Sequence, residues 1–477
     1  ARAVAREVTE KFDGSDAIDI EAIQDAVEIS LMAKDPAAAK KYILYREERT
    51  RLREHGWDMT DLQRDIYEKK YRYDSENFEG FLERVSGGNS AIKKAIANKE
   101  FMPAGRILAG RGLDAYGKKI TLSNCYVMPQ VEDNIESIYD TAKWMARTYS
   151  YGGGVGLTLN KLRPKGARVN NAASSTTGAV SFMDLYSLTT GLIGMRGRRG
   201  ALMLNMDASH PDILEFINVK KDLDKVTSAN ISVICGDDFF KAYKEDAPFN
   251  LTFDVEATGE KIRREVSARD MMHNLAYNNW DMAEPGVLFK DRINSWHIMS
   301  EDDTFEYAGV NPCAEEPLPA FGSCNLSSIN LGEFVKYPFS KFARFEFESF
   351  GQLVREGVIY LNDVLDENMA LHPLKEQREL SRDLRQIGLG IMGVADMFIK
   401  MGVKYGSSES LNLINQIGRV LVNEALRQSA LLAKEAGPFP RYRKDKVLAS
   451  EFIRSNADDD VLALIEEYGL RNSQLLT

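Results

Sequence analysis

From residue 121 to about 330 the chain alternates short β-rich runs with helical ones, and this alternation constrains the fold more than any other feature. The β-rich runs are TLSNCYVM, VGLTLNKL, ANISVICG, FNLTFDV and GVLFKDRI; NIESIYDTAKWMARTY and SFMDLYSLTTGLIGM carry helical spacing among them. Strands that return through helices build a parallel or mixed α/β sheet covered on its faces. Residues 1–54 read as helical, with a break at Asp35-Pro36, where Pro36 suits a first helical turn. Residues 55–120 are again mostly helical and charged. Beyond 330 long helices dominate. The clearest runs from Ser408 to Ala436, with Ile414, Ile417, Leu421, Ala425 and Leu432 on one stripe, and stops at Gly437-Pro438.

Composition excludes several classes. The 61 basic and 71 acidic residues leave a net charge of −10, against the basic face that wrapping a nucleic-acid backbone needs. No run approaches the roughly 18 uncharged apolar residues of a membrane span. Four cysteines in 477 residues do not make a disulfide scaffold, and no secretory signal opens the chain, so a reducing cytosol is expected. Ala1 begins inside an amphipathic segment and RNSQLLT stops without a helix cap, which reads as a piece of a longer protein.

The chemistry concentrates in VNPCAEEPLPAFGSCNLSSINL. Pro312 disfavours helix, so the segment is extended or looped. In an extended chain Asn311, Cys313 and Glu315 point to one side, bringing an amide, a thiol and a carboxylate together. Each alone suits a surface loop with one buried cysteine; together, between Pro312 and Pro317, they favour a site. Cys324 follows, and Cys125 lies far upstream. There is no CxxC, and His55, His210, His273, His297 and His372 do not cluster with the cysteines, so no metal site is expected. Reduced cysteines of this kind serve thiol–disulfide exchange or a thiyl radical. Pairing Cys125 with Cys324 needs Cα atoms about 4.4–6.8 Å apart. Cys235, in ISVICGDD, reads as a buried strand residue.

Other features have two readings. Gly152, Gly153, Gly154 and Gly156 suit close backbone packing or a bound ligand. Asp133, three residues before Glu136, reads as an N-cap. MRGRRGALM gathers three arginines in an acidic protein, which suits an anion or a solvated loop. Gly388, Gly390 and Gly393 spell GxGxxG, but the segment before them reads as helical rather than as a strand, so close helix packing is expected instead of a dinucleotide site.

Five motifs, in order, resemble those of the ribonucleotide reductase catalytic (large) subunit family: SNCYVMPQVEDNIESI, SYGGGVGLTLNKLRPKG, RGRRGALM, NPCAEEPL with GSCNLSSINL, and RQIGLGIMGVADMF. The resemblance covers nearly the whole chain. It implies that Cys313 carries a thiyl radical that removes the 3′ hydrogen of the substrate ribose. Glu315 takes the 3′-OH proton, Asn311 holds substrate and orients that carboxylate, and Cys125 with Cys324 deliver two electrons and end as a disulfide. Gly153 and Gly154 are implied substrate contacts, with Ser123 and Asn124 beside them. The family often has hydroxyl residues for substrate phosphate where this chain has Ala104, Gly105 and Arg106, so Arg106 is the expected source of charge there. Asp133, Arg163 and Arg198 match residues for dNTP or ATP effectors.

The implied fold is a ten-stranded α/β barrel of the ribonucleotide reductase type, shared with glycyl-radical enzymes, with Cys313 on a loop entering its centre. The barrel is expected to be incomplete on its C-terminal side. A phosphate-binding segment, the last strands, radical-relay tyrosines and a reducing CxxC tail are expected beyond Thr477, so residues 1–477 alone are expected to be inactive. Residues 1–54 resemble the back half of an ATP cone without its nucleotide-binding front, 55–120 a helical N-terminal domain, and 121–477 the catalytic barrel. The wording of SNCYVMP, ARTYSYGGGVG and NPCAEEPLP is similar to adenosylcobalamin-dependent members; a radical from a separate metal-containing subunit is the alternative. Diphosphate substrates, a homodimer and a thioredoxin-like reductant complete the implied picture. The competing readings are a non-catalytic nucleotide-binding fragment and another glycyl-radical-type barrel enzyme.

Overall fold

Four of the five β-rich runs contribute to one curled sheet that positions the cysteines, while FNLTFDV lies in a separate antiparallel hairpin, Pro248–Val255 with Glu260–Ser267. The computed structural model describes residues 2–12, 20–54, 59–193 and 200–477. It divides into two compact units, residues 1–83 and 84–477. In the first, helices Arg2–Phe12, Ile20–Lys34 and Pro36–Glu54 follow one another, and Val4, Val8 and Ala26 form a small core with Phe12, Ile23 and Leu31. Pro36 opens its helix, and the Asp35 carboxylate accepts the Ala38 N–H at 3.0 Å, capping the first turn.

In the second unit eight strands form the sheet: β1 Phe101–Pro103, β2 Cys125–Val127, β3 Gly154–Thr158, β4 Leu202–Asp207, β5 Asn230–Cys235, β6 Gly286–Phe289, β7 Ser323–Asn330 and β8 Ile387–Met392. Strands β2 to β6 are parallel neighbours in chain order. β7 runs parallel to β8 along one edge, while its other edge pairs antiparallel with β1 at Ser327–Ile329 and with β2 at Ser323–Cys324. Residues Gln474 and Leu475 lie along the free edge of β8, accepting the Ile387 and Leu389 N–H groups. The short FMP run of β1 has no alternation to announce a strand inside a region expected to be helical.

The covering helices explain the continuous apolar character of β3 and β4, which are buried on both faces. Helices Ile135–Ser150 and Ala179–Leu192 pack Tyr149, Met183 and Tyr186 over Leu157, Leu204 and Val233. Cys235 belongs to this outer core. Helix Phe347–Asn368 packs on helix Ser408–Ala436, which buries Ile417, Leu421 and Ala425 and ends at Gly437 with φ +79°. Among the described residues no helix is long and apolar enough to cross a membrane.

Candidate active site

A hairpin, Gly309–Val310 paired with Pro317–Leu318, carries the NPCAEE tip across the sheet. The Thr158 hydroxyl donates to Ala308 O at 2.7 Å, and the Asn230 side-chain amide donates to Pro312 O at 3.1 Å. Glycines on β3 permit this approach. A Cβ at Gly156 would fall on the Val310 carbonyl oxygen, and one at Gly154 would lie 2.8 Å from Pro312 Cγ. Gly153 is hemmed in differently: its Cβ would meet the Tyr126 ring at 2.6 Å. Close packing is therefore a sufficient reason for all three glycines.

The tip is a turn, which corrects the expectation of an extended chain with alternating side chains. Asn311 N–H donates to Glu316 O at 3.0 Å, Ala314 N–H donates to Asn311 O at 3.0 Å, and Ala314 sits at φ +69°. Asn311 is fully buried, while Cys313 and Glu315 are exposed on the turn. The Asn311 amide donates to Cys125 Sγ at 3.2 Å, and its Oδ1 accepts the Glu316 N–H at 3.0 Å. Glu316, one residue past the expected carboxylate, therefore shares the interior with Asn311.

Cys125 and Cys324 stand directly opposite each other in the antiparallel pairing of β2 with β7. Directly opposed residues have Cα atoms about 4.5–5.5 Å apart, within the range a disulfide bridges. Both are free thiols and buried. Burial raises the pKa of each above the usual thiol range; the Asn311 hydrogen bond opposes this at Cys125, and the Glu316 charge adds to it at Cys324. Burial and then Glu315 raise Cys313 in the same direction. Glu316 is pushed up to about 8, chiefly by burial. These thiols are thus held protonated at neutral pH, as hydrogen and electron donors rather than thiolate nucleophiles.

Ser123 and Asn124 are bound into the scaffold. Ser123 Oγ donates to Asn325 Oδ1 at 2.6 Å and accepts from Asn368 Nδ2 at 2.9 Å. Asn368 Oδ1 takes the Leu122 N–H, and the Tyr126 hydroxyl lies 2.6 Å from Thr121 Oγ1 and 3.1 Å from His372 Nδ1. This buried network fixes the strand that carries Cys125. Arg106 donates its backbone N–H to Asn124 Oδ1 at 3.2 Å.

Asp133 and Arg163 pair with each other. Asn134, rather than Asp133, caps the helix by accepting the Ser137 N–H at 2.8 Å. Asp133 is then available to accept Arg163 Nε at 2.6 Å and the Arg163 backbone N–H at 3.1 Å. The pair borders a hollow of about 650 Å³ lined also by Lys161, Phe253 and Glu256. Arg198 lies outside the described residues.

The first two GxGxxG glycines are on a strand, not in helix packing. Gly388 and Gly390 belong to β8, and Gly393, at φ +74°, opens helix Val394–Met401. A Cβ at Gly388 would lie 2.5 Å from Glu316 Oε1 and 3.1 Å from Cys324 Sγ. Glu316 and this contact were missed in sequence. The only signal was a second glutamate beside the expected one.

A curled parallel sheet crossed by a cysteine-bearing hairpin, with two further thiols facing each other beneath it, defines an α/β-barrel protein built for thiol chemistry. The family description "Ribonucleotide reductase, barrel domain" matches residues 123–477, and "ATP cone domain" matches residues 1–51. The chain belongs to the ribonucleotide reductase family. It is 34% identical over 399 residues to a vitamin B12-dependent ribonucleoside-diphosphate reductase of Thermoplasma acidophilum, covering 80% of this chain and 50% of that protein. A protein of the same description from Mycobacterium tuberculosis strain H37Rv is 30% identical over 430 residues, 90% of this chain and 57% of its own length. The ribonucleoside-diphosphate reductase large chain of Neurospora crassa is 26% identical over 393 residues, 74% of this chain and 42% of its own. The chain spans about half the length of the curated relatives it matches.

Proposed function

We propose that the protein containing this chain reduces ribonucleoside diphosphates to deoxyribonucleotides by thiyl-radical chemistry. The observation that carries this reading is the register pairing of Cys125 with Cys324 under a hairpin that presents Cys313 and ties Asn311 to Cys125. Cys313, as the thiyl radical, takes the 3′ hydrogen, and Glu315 takes the 3′-OH proton. Asn311 holds substrate over the Gly153–Gly154 backbone, beside Ser123 and Asn124. Arg106 supplies charge toward the substrate phosphate. As the 2′-OH leaves as water, the two thiols of Cys125 and Cys324 give up two electrons and two protons and become a disulfide. A thioredoxin-like dithiol restores them.

The radical comes from outside the described residues, among which no cluster of three metal-ligating side chains occurs. An exposed thiol at a hairpin tip fits that need, and Cys313 and Glu315 are the groups this chain would present to the cofactor. Adenosylcobalamin would supply that radical when bound, a choice supported by the relatives from Thermoplasma and Mycobacterium, which are described as vitamin B12-dependent.

Asp133 and Arg163, with Arg198, bind the dNTP or ATP effector. Ile135 and Tyr139 on one helix and Leu188 and Leu192 on the next are exposed apolar residues that support a homodimer. Residues 1–54 form the C-terminal part of an ATP-cone-like control module, 55–120 a helical N-terminal domain and 121–477 the catalytic barrel, in the cytoplasm. The test is deoxycytidine diphosphate formation by the full-length protein with dithiothreitol, with and without adenosylcobalamin. Turnover that needs the cofactor and vanishes in Cys313→Ala is expected. Turnover only after a metal-containing subunit is added would overturn the cofactor assignment, and activity persisting in Cys313→Ala would overturn the mechanism.

A further inference from the structure

Glu316 is a fully buried carboxyl that the scheme above leaves without a task. Its Oε2 accepts the Gln474 side-chain amide, which Gln386 in turn steadies through a 2.9 Å bond to Gln474 Oε1. Cys324 and Thr477 are the other hydrogen-bonding neighbours of this carboxyl. Its Oε1 shares the space above Gly388 with Cys324 Sγ, and a Cβ there would lie 2.5 Å from the oxygen and 3.1 Å from the sulfur. The thiol donates to the Asn325 carbonyl at 3.7 Å and is also within hydrogen-bonding reach of the Glu316 carboxyl. A buried acid is therefore held against one member of the thiol pair, above a glycine and beside an amide.

We propose that Glu316 is the proton donor to Cys324 when the Cys125–Cys324 disulfide is re-reduced, an inference that rests on the reading of these two residues as the electron-donating pair. A dithiol reductant opens the disulfide by exchange. Its thiolate sulfur bonds to Cys125, and the electron pair of the broken S–S bond leaves on Cys324 as a thiolate. A thiolate in so buried a position is costly. Glu316–COOH passes its proton to Cys324–S⁻, giving Cys324–SH and Glu316–COO⁻. The second thiol of the reductant then displaces Cys125 as its thiol and closes the reductant's own disulfide. One of the two protons lost by the dithiol ends on Cys125, and the other replaces the one Glu316 gave. Overall one disulfide and one dithiol exchange two electrons and two protons. The carboxyl's rise to about 8 by burial keeps it protonated at neutral pH. The titratable groups around it are Glu315 on the same hairpin, Tyr307 before it, Cys324 on β7 and Cys125 on β2.

The experiment follows reduction of the Cys125–Cys324 disulfide in the oxidised full-length protein by dithiothreitol, trapping thiols by alkylation and mass spectrometry across about pH 6–9.5. The rate per dithiothreitol thiolate is expected to fall in the wild type as pH rises through about 8. In Glu316→Gln, which keeps the volume and the amide contact, it should be flat and lower by on the order of tenfold or more at neutral pH. Glu316→Asp should restore part of the rate with its pH dependence. A Glu316→Gln profile parallel to wild type, whether equal or uniformly slower, would contradict proton donation and leave only a structural role. Because the exchange is read without substrate, a protein that makes no deoxyribonucleotide would refute the reductase reading separately.

Discussion

Asn311 donates its side-chain amide to the Cys125 sulfur at 3.2 Å while its carbonyl oxygen accepts the Glu316 N–H. One buried residue thus locks the hairpin tip to the strand that carries a reactive thiol. Asn311→Ala leaves the Glu316 N–H unpaired in the interior, at about 1–3 kcal/mol of stability. Turnover of the folded protein is expected to fall as well, because the amide proposed to hold substrate goes too. Denaturant midpoints beside kcat and KM check this; a stability loss with normal turnover would remove Asn311 from the chemistry.

Gly156 marks where the hairpin touches β3. Its missing Cβ is replaced by the Val310 carbonyl, so Gly156→Ala must push the hairpin off the sheet. A cost of about 3 kcal/mol is expected from overpacking, with loss of turnover. A melting temperature within a degree of wild type would mean that the hairpin does not rest on β3.

Asp133→Ala removes the acceptor that Arg163 reaches through two N–H groups. On the proposed role of Asp133 in holding the effector, dTTP binding by the full-length protein should weaken on the order of tenfold or more, the scale of one charge-assisted hydrogen bond. Calorimetric titration reads this directly. Unchanged affinity would place the effector elsewhere.

His372 and His297 are lowered by burial to about 3 and about 4, so both are neutral in the fold. The unfolded chain takes up their protons first as pH falls below about 6.5, so the stability they contribute is present above that pH and lost below it. Each steepens the decline by about 1.4 kcal/mol per pH unit between about 6.5 and 4.5. Glu316, raised to about 8, acts in the opposite sense, losing its contribution as pH rises from its ordinary value toward 8. Replacing His372 by Gln should flatten the acid limb of urea midpoints by one histidine's share. An unaltered slope would show that His372 is protonated in the fold.

The sequence disclosed what depends on residue identity in short stretches. The β-rich runs around Cys125, Val155 and Ile231 are strands, Pro36 opens a helix, and Ile417, Leu421 and Ala425 face the core. What it concealed depends on neighbours distant in the chain. Alternation suggested Glu315 as the partner of Asn311, whereas the left-handed turn at Ala314 brings Glu316 inward. Gly388 read as a helix-packing residue because its neighbours Glu316 and Cys324 approach only once β7 and β8 pair. Asp133 and Asn134 are equally good caps on paper; the arginine thirty residues on decides between them.

The most direct measurement of the central claim is a single turnover by fully reduced full-length protein with adenosylcobalamin and no external reductant. Deoxyribonucleotide should form at one per active site and stop, with peptide mapping recovering Cys125 joined to Cys324 in equal amount and Cys313 still reduced. Product formed while Cys125 and Cys324 remain free thiols would contradict the claim that this pair is the electron source.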